Sequence, residues 1–156
     1  DSQYDPAVTW ADIAWLRGFW QGKLVIKGIL EAEDARAALD AGADGVVISN
    51  HGGRQLDSVA STISKLPAVI EAVGGRLEVF MDGGVRGGMD VFKAVALGAT
   101  GVLIGRPWAW AIAGRGEAGL VDLLATFKRE LAVAMALTGA RSISEVHRGL
   151  IEWDRC

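Results

Sequence analysis

Four short apolar runs, each followed by a segment of helical periodicity, limit the folds open to this chain more than any other feature. The runs cover residues 24–27, 45–49, 78–82 and 101–104. They are continuous rather than alternating, which is typical of strands buried on both faces of a parallel sheet. Helices are predicted near residues 31–41, 60–73 and 87–97. The resulting β-α-β-α repeat indicates an α/β fold.

Glycines and capping residues mark the expected helix ends. Gly42 and Gly98 lie where a helix is expected to stop before the next strand. After the fourth strand we predict a short helix near residues 106–114 and a long one near 117–138, which stops at Gly139. The spacing of a capping box occurs twice, at Thr9 and Asp12 before a first helix near residues 10–20, and at Ser142 and Glu145 before a last short helix.

Aromatic residues are concentrated in two places. Trp10, Trp15 and Phe19 have a spacing that fits one face of the first helix, which predicts packing in the core. Trp108 and Trp110 follow the last strand and are likewise interpreted as packing residues rather than cofactor contacts. Of the two histidines, His147 lies in the terminal helical region and is predicted to be a surface residue.

Composition excludes several classes of protein. Of the 156 residues, 51% are hydrophobic, which suffices for one globular core and predicts one domain. The 16 basic and 19 acidic side chains give a net charge of -3, so nucleic acid is not an expected partner, whereas small anions are not excluded. Because Cys156 is the sole cysteine, one chain cannot build a disulfide framework or a thiolate zinc cluster. We predict no metal site and a reducing compartment.

The ends of the chain and its hydropathy bear on location. No apolar run reaches the roughly 20 residues needed to span a bilayer. The acidic, polar start at residues 1–5 lacks the regions of a secretory signal. We therefore expect a soluble or peripheral protein, and the abrupt start is that expected of a chain cut from a longer one.

The placement of polar residues favours a (β/α)8 barrel over a doubly wound sheet. Unusual residues follow every predicted strand: Lys27, residues 49–54, residues 82–86, and Gly105 with Arg106. Barrel enzymes place the active site at this end of the strands, and a phosphate site often forms after strands seven and eight. The last two loops are rich in glycine and end in arginine. We predict strands 5–8 of a TIM barrel, so that residues 1–156 form one partial domain, the C-terminal half of a barrel that needs about 250 residues.

Residues 49–57 carry the most chemical information. Histidine is the side chain best suited to move a proton near neutral pH, and an arginine can bind a carboxylate through two parallel hydrogen bonds. His51 and Arg54 therefore combine a candidate base and an anion clamp in one loop. An isolated histidine would more often be a loop residue that binds the backbone, but the position at a strand end and the nearby arginine favour the catalytic interpretation.

Two further groups of residues have alternative interpretations. Lys27 either pairs with Asp82 at the sheet edge or faces a cofactor whose negative charge it stabilises. The loops that end in Arg86 and Arg106 are either ordinary turns or backbone N–H groups that bind a phosphate beside two guanidiniums. Two such loops one βα unit apart favour the phosphate site.

The sequence Ser-Asn-His-Gly-Gly-Arg-Gln at residues 49–55 resembles the active-site signature of the FMN-dependent 2-hydroxy-acid dehydrogenase and oxidase family. The likeness continues at Asp5-Pro6 and at residues 25–30, 82–86, 104–107 and 134–139. It covers nearly the whole chain but only the second half of the family's barrel. Residues 19–22, 25–30 and 141–143 look most like the bacterial respiratory L-lactate dehydrogenases.

This resemblance implies roles for the residues at the strand ends. His51 would be the base and Arg54 would bind the substrate carboxylate. The residues implied to bind FMN are Lys27 and Ser49 at the ring, and Asp82, Gly83, Gly84, Val85, Arg86, Gly105 and Arg106 at the ribityl chain and phosphate. The implied reaction is oxidation of an L-2-hydroxy acid, most of all L-lactate to pyruvate.

The resemblance also implies partners and leaves rivals open. The electron acceptor would be a quinone or, in a glycolate-type oxidase, oxygen. A full-length protein would be a homo-oligomer, cytoplasmic or peripheral on the cytoplasmic face of the inner membrane. The family takes the aspartate that orients its histidine from its first half, so this chain alone is expected to bind FMN weakly and to turn over poorly. A non-catalytic half barrel that binds phosphate or flavin is the remaining rival.

Overall fold

The computed structural model describes residues 6–152, so the predictions that concern residues 1–5 and Cys156 lie outside the described part of the chain. The helices are α1 (Trp10–Phe19), α2 (Ala32–Asp40), α3 (Thr62–Val73), α4 (Gly88–Ala96) and α5 (Arg106–Thr138). The strands are β1 (Val25–Ile29), β2 (Gly45–Ile48), β3 (Glu78–Met81) and β4 (Gly101–Val102). Short 3-10 turns cover His51–Gly53, Ile143–Glu145 and Arg148–Leu150.

The four strands form one parallel sheet in the order β1-β2-β3-β4. This confirms the predicted α/β fold with a parallel sheet. Ile26 pairs with Val46, and Val46 with Val79, while an irregularity between Lys27 and Ile29 shifts the register of β1. Strand order that follows chain order, without a reversal, is the arrangement that a (β/α)8 barrel uses.

The main core lies on one face of the sheet. It is built from alternate strand residues and from the apolar faces of α2, α3, α4 and α5, and it includes Ala35, Val46, Ile48, Leu66, Val69, Val79, Met81, Ala94 and Phe127. The opposite face carries Val25, Lys27 and Phe80 and takes no part in this core. Val25 and Leu103 are 43% and 40% exposed. The prediction that the strands are buried on both faces is confirmed for β2, all four residues of which are buried, and is wrong for β1 and β4.

Most local helix signals are confirmed. Gly42 and Gly98, after α2 and α4, have φ values of 84° and 103°, which glycine adopts without steric cost. Asp12 accepts hydrogen bonds from the Thr9 amide and hydroxyl at 2.7 Å each, as the capping box predicts. The hydroxyl of Thr9, together with its amide, lowers the pKa of Asp12.

The C-terminal helices agree with the prediction in one place and differ in another. The two helices predicted after β4 are present, because α5 breaks at Arg115 and Gly116, whose backbone is not helical, at the predicted boundary. The capping box predicted at Ser142 is wrong. The carboxylate of Glu145 instead accepts hydrogen bonds from the Arg141 amide at 3.0 Å and its guanidinium at 3.1 Å, and a 3-10 turn replaces the helix.

The aromatic residues of α1 do not pack in the core, so that prediction is wrong. No residue of α1 is buried, and Trp15 and Phe19 are 71% and 59% exposed. Their rings contact each other edge to face with centroids 5.0 Å apart. Helical spacing correctly placed them near one another, but it does not reveal whether another element covers them.

Asp44 joins α1 to the sheet. Its carboxylate accepts hydrogen bonds from Arg17 Nη1 at 3.1 Å, Lys23 Nζ at 2.8 Å and the Leu24 amide at 2.9 Å. The ammonium of Lys23 is the main cause that lowers the pKa of Asp44 to about 2. Because Asp44 immediately precedes β2, these contacts hold the end of α1 and the start of β1 beside β2.

Across residues 6–152, the helices lack the combination of length and apolar character that a transmembrane segment requires.

Gly88 brings α4 into direct backbone contact with α5. A Cβ at this position would lie 2.3 Å from both the Leu131 amide nitrogen and the Phe127 carbonyl oxygen. The Gly88 amide also donates a hydrogen bond to Glu130 Oε2 at 2.7 Å. A side chain at residue 88 would therefore force the two helices apart.

We predict that Gly88→Ala lowers the free energy of unfolding by about 1–3 kcal/mol, the usual cost of overpacking. The matched control is Gly18→Ala, because a Cβ at Gly18 meets nothing within 4 Å. This helical substitution should raise stability by about 0.5–1 kcal/mol. Urea unfolding followed by circular dichroism measures both. Equal stability of the two variants would contradict the packing described here.

Candidate active site

The carboxyl ends of the four strands surround one open cavity of about 440 Å³. Parallel strands end at the same edge of a sheet, so the residues that follow them are brought together. The predicted site residues that line the cavity are Lys27, His51, Arg54, Asp82, Gly83, Gly84, Val85, Arg86, Gly105 and Arg106. Ser49 is 1% exposed and lies behind Lys27, to which it is hydrogen-bonded.

The loop after β2 has an unusual backbone. His51, Gly52 and Gly53 have φ values of 54°, 68° and 71°, three successive residues in the left-handed region. For a residue with a side chain such as His51, this conformation costs about 1–3 kcal/mol and persists where the surroundings impose it. The His51 amide donates to Ser49 Oγ at 3.1 Å, which is one such constraint.

The imidazole of His51 lies against the backbone of β1. A Cβ at Gly28 would come within 3.0 Å of His51 Cε1, and Gly28 has a φ of 103° at the irregularity in β1. Glycine at residue 28 therefore provides the space that the ring occupies. Within residues 6–152 the imidazole nitrogens of His51 have no hydrogen-bond partner, so the ring is positioned by packing and by its backbone.

Lys27 forms the ion pair with Asp82 that was one of its two predicted roles. Its Nζ lies 2.7 Å from Asp82 Oδ2 and donates to Ser49 Oγ at 2.7 Å. The second carboxylate oxygen, Asp82 Oδ1, is buried and lacks a hydrogen-bond partner in the described part of the chain. Such an oxygen is costly unless a donor reaches it, which makes it a candidate acceptor for a ligand hydroxyl.

Thr62 fixes the glycine loop after β3, a role that the sequence analysis missed. Thr62 is 2% exposed, and its hydroxyl donates to the carbonyl oxygens of Asp82 at 2.5 Å and Gly83 at 3.3 Å. Gly83 and Gly84 have φ values of 86° and 78°, and a Cβ at Gly83 would lie 3.0 Å from Thr62 Oγ1. The sequence signal was limited to a threonine near a predicted helix start.

The cavity carries an excess of positive charge. Arg54, Arg86 and Arg106 all line it, and within residues 6–152 none of them pairs with a carboxylate. Arg106 donates to the carbonyl oxygen of Gly52 at 3.3 Å, which links the loops after β2 and β4. Unpaired guanidiniums beside glycine-rich backbone are suited to bind carboxylate or phosphate groups.

The sequence model of one protein family, described as FMN-dependent dehydrogenase, matches residues 1–153. The chain belongs to this family. The match includes every strand and helix of residues 6–152, together with the glycine loops and arginines described above.

Curated relatives within the family are L-lactate dehydrogenases. One from Caulobacter vibrioides is 55% identical over 150 residues, which is 96% of this chain and 39% of the relative. One from Pseudomonas putida is 54% identical over 147 residues, 94% of this chain and 39% of the relative. The chain thus spans about two fifths of the length of these relatives.

Solved structures with a similar fold include mandelate oxidases. The complex with benzoyl-formic acid gives a TM-score of 0.88 and 46% identity, over 95% of this chain and 44% of that chain. A mutant with a monooxide FMN adduct gives a TM-score of 0.86 and 48% identity, over 90% of this chain and 45% of that chain.

His147 and the two tryptophans after β4 are exposed side chains with different outcomes for their predictions. His147 is exposed, as predicted, and its Nδ1 accepts a hydrogen bond from the Gly149 amide at 3.2 Å. Trp108 and Trp110 are 44% and 70% exposed and line the cavity, so the prediction that they pack in a core is wrong. Their spacing from the last strand could not distinguish a cavity wall from a buried helix face.

Proposed function

We propose that this chain is the C-terminal half of a (β/α)8 barrel that oxidises an L-2-hydroxy acid with FMN, L-lactate to pyruvate above all. The observation that carries the proposal is one cavity that holds His51 and Arg54 together with Arg86 and Arg106. A base and three guanidiniums without carboxylate partners match a substrate with one carboxylate and a cofactor with one phosphate. The names of the Caulobacter and Pseudomonas relatives support L-lactate as the substrate.

The residues present fit FMN. Arg86 and Arg106 would neutralise the phosphate, which the backbone N–H groups of the glycine loop can approach because Gly84 has no neighbour within 4 Å of a Cβ position. The unpartnered Asp82 Oδ1 would accept a ribityl hydroxyl. Lys27, with Ser49 beside it, would lie at the flavin ring. Bound FMN supplies an acceptor for the two electrons that leave the substrate.

The roles of this chain's own residues follow from their chemistry. The Arg54 guanidinium binds the substrate carboxylate through two parallel hydrogen bonds and orients the hydroxyl-bearing carbon. A neutral His51 imidazole removes a substrate proton and becomes an imidazolium. Asp82 and Ser49 hold the ammonium of Lys27 at the cavity wall. That charge stabilises negative charge that develops during the reaction.

The sheet has one covered face and one face outside the main core, which supports a half barrel. One face is packed by helices, while the face that carries Val25, Lys27 and Phe80 is outside the main core. In a closed barrel this second face would be the filled interior, and the edges at β1 and β4 would be paired. The length of the relatives, of which this chain spans 39%, supports a missing first half.

A second candidate function has a specific observation in its favour. The solved structures at 46–48% identity are named oxidases, which favours oxygen as the acceptor rather than a respiratory quinone. Identities of 54–55% to proteins named dehydrogenases favour the quinone. An oxygen electrode during L-lactate turnover separates the two, because an oxidase consumes oxygen in step with lactate.

The phosphate site can be tested in a chimera in which this chain replaces the matching segment of the Caulobacter vibrioides L-lactate dehydrogenase. We predict that Arg106→Gln weakens FMN binding about tenfold or more, since a charged hydrogen bond contributes about 1.5–3 kcal/mol. Binding of riboflavin, which lacks the phosphate, should be unchanged. Arg129→Gln, on the exposed side of α5, is the matched control. Equal losses for FMN and riboflavin would refute a phosphate role. Quenching of flavin fluorescence gives both constants.

The catalytic assignment makes a separate prediction in the same chimera. His51→Gln should lower kcat for L-lactate about 10²–10⁴-fold, the usual contribution of a general base, without changing the FMN absorbance spectrum. Arg54→Lys should mainly raise KM, because an ammonium cannot form the bidentate contact. His147→Gln, an exposed histidine, serves as the control. A His51→Gln variant with unchanged kcat would exclude His51 as the base.

The isolated chain should associate through its uncovered sheet face and edges. Size-exclusion chromatography at several concentrations should show self-association, and addition of a separately expressed first half should replace it by a one-to-one complex. Restored FMN binding in that complex is expected. If the chain stays monomeric at every concentration and does not bind the first half, this result would contradict the half-barrel proposal.

A further inference from the structure

The side chain of Asn50 connects three segments at the active-site edge. Its Oδ1 accepts a hydrogen bond from the Gly52 amide at 3.0 Å, and its Nδ2 donates to the carbonyl oxygen of Ala60 at 3.4 Å. A Cβ at Gly83 would lie 3.1 Å from Asn50 Oδ1, so the amide also packs closely on the glycine loop after β3. A single side chain thus contacts the loop after β2, the start of α3 and the loop after β3.

The bond to the Gly52 amide closes the left-handed turn. That turn contains His51 at its first position and ends at Arg54, and its three residues 51–53 all have positive φ. The backbone adds one bond across it, from the Gly53 amide to the Asn50 carbonyl oxygen at 2.9 Å. Because His51 adopts a conformation that side chains avoid, the turn depends on such contacts to keep its shape.

Asn50 is absent from the described residues that line the 440 Å³ cavity. It lines a separate cavity of about 350 Å³ on the other side of the glycine loop, with Thr62 and Lys93. A side chain outside the main cavity has no direct contact with substrate there. Any influence of Asn50 on catalysis would act through the direction in which the His51 ring and the Arg54 guanidinium project.

We infer that Asn50 is a positioning residue for the reaction. It holds the 51–53 turn so that the His51 imidazole stays over Gly28 while Arg54 faces the same cavity, and it ties this turn to the loop that would bind the cofactor. This inference rests on the proposed function, because it assigns Asn50 a task only if His51 and Arg54 act on a substrate. It extends that function to a residue outside the cavity.

The test uses the same chimera with Asn50→Ala and Asn50→Asp. Asn50→Ala removes the acceptor for the Gly52 amide, so the base and the clamp should both lose their alignment. We expect kcat for L-lactate to fall on the order of 10²-fold and KM to rise, since small misplacements of reacting groups have effects of this size. FMN affinity and the melting temperature should stay close to those of the parent.

Asn50→Asp keeps an oxygen acceptor for the Gly52 amide and should restore most of kcat. A merely structural role for Asn50 would instead lower the melting temperature of Asn50→Ala and leave kcat per folded enzyme unchanged.

The outcomes separate the two proposals. If the parent chimera oxidises no 2-hydroxy acid, or His51→Gln is as active as the parent, the proposed function fails and the inference with it. If the parent chimera is active and His51→Gln is not, but Asn50→Ala matches the parent in kcat and KM, the inference alone is overturned. Should Asn50→Ala fail to fold, Asn50→Leu, which has a side chain of similar size but no acceptor, is compared with Asn50→Asp. A lower kcat for Asn50→Leu than for Asn50→Asp supports the positioning role, and equal kcat values overturn it.

Discussion

Parallel pairing in chain order is the constraint on which the rest of this structure depends. Because β1, β2, β3 and β4 run in the same direction and lie side by side, the residue that follows each strand reaches the same edge of the sheet. Lys27, His51, Asp82 and Arg106 are widely separated in the sequence and still surround one cavity. Without this pairing no local feature of the loops would assemble a site.

Positively charged side chains outnumber negatively charged ones at this edge of the sheet. Lys27 forms an ion pair with Asp82, whereas the guanidiniums of Arg54, Arg86 and Arg106 have no carboxylate partners among residues 6–152. Like charges that line one cavity repel one another, and bound anions reduce that repulsion. A carboxylate substrate and a phosphate-bearing cofactor would supply such anions.

Local signals explain which parts of the fold were predicted correctly. Gly42 and Gly98 act through their own backbone conformation, and Asp12 acts three residues from Thr9, so a single sequence contains the necessary information. The loops that carry His51 and Arg106 were found for the same reason, since each directly follows an apolar run. Trp15 was misplaced because its burial depends on an element distant in sequence, and periodicity reports only which residues share a face.

The residues that sequence reasoning did not find act at a distance from the chemistry. Thr62 and Asn50 touch neither an expected substrate nor a charged group, but they bind the backbone of the loops that do. A sequence does not distinguish polar side chains that bind loop backbone from ordinary turn residues, because partners such as the carbonyls of Ala60 and Asp82 belong to other segments. In the proposed function, charged residues at the cavity would supply the chemistry, and uncharged hydrogen-bonding residues behind it would fix the strained backbone that orients them. The orientation of the His51 ring is therefore only partly fixed by residues 6–152. Its backbone is held by Ser49 and Asn50, whereas its imidazole nitrogens have no partner among residues 6–152.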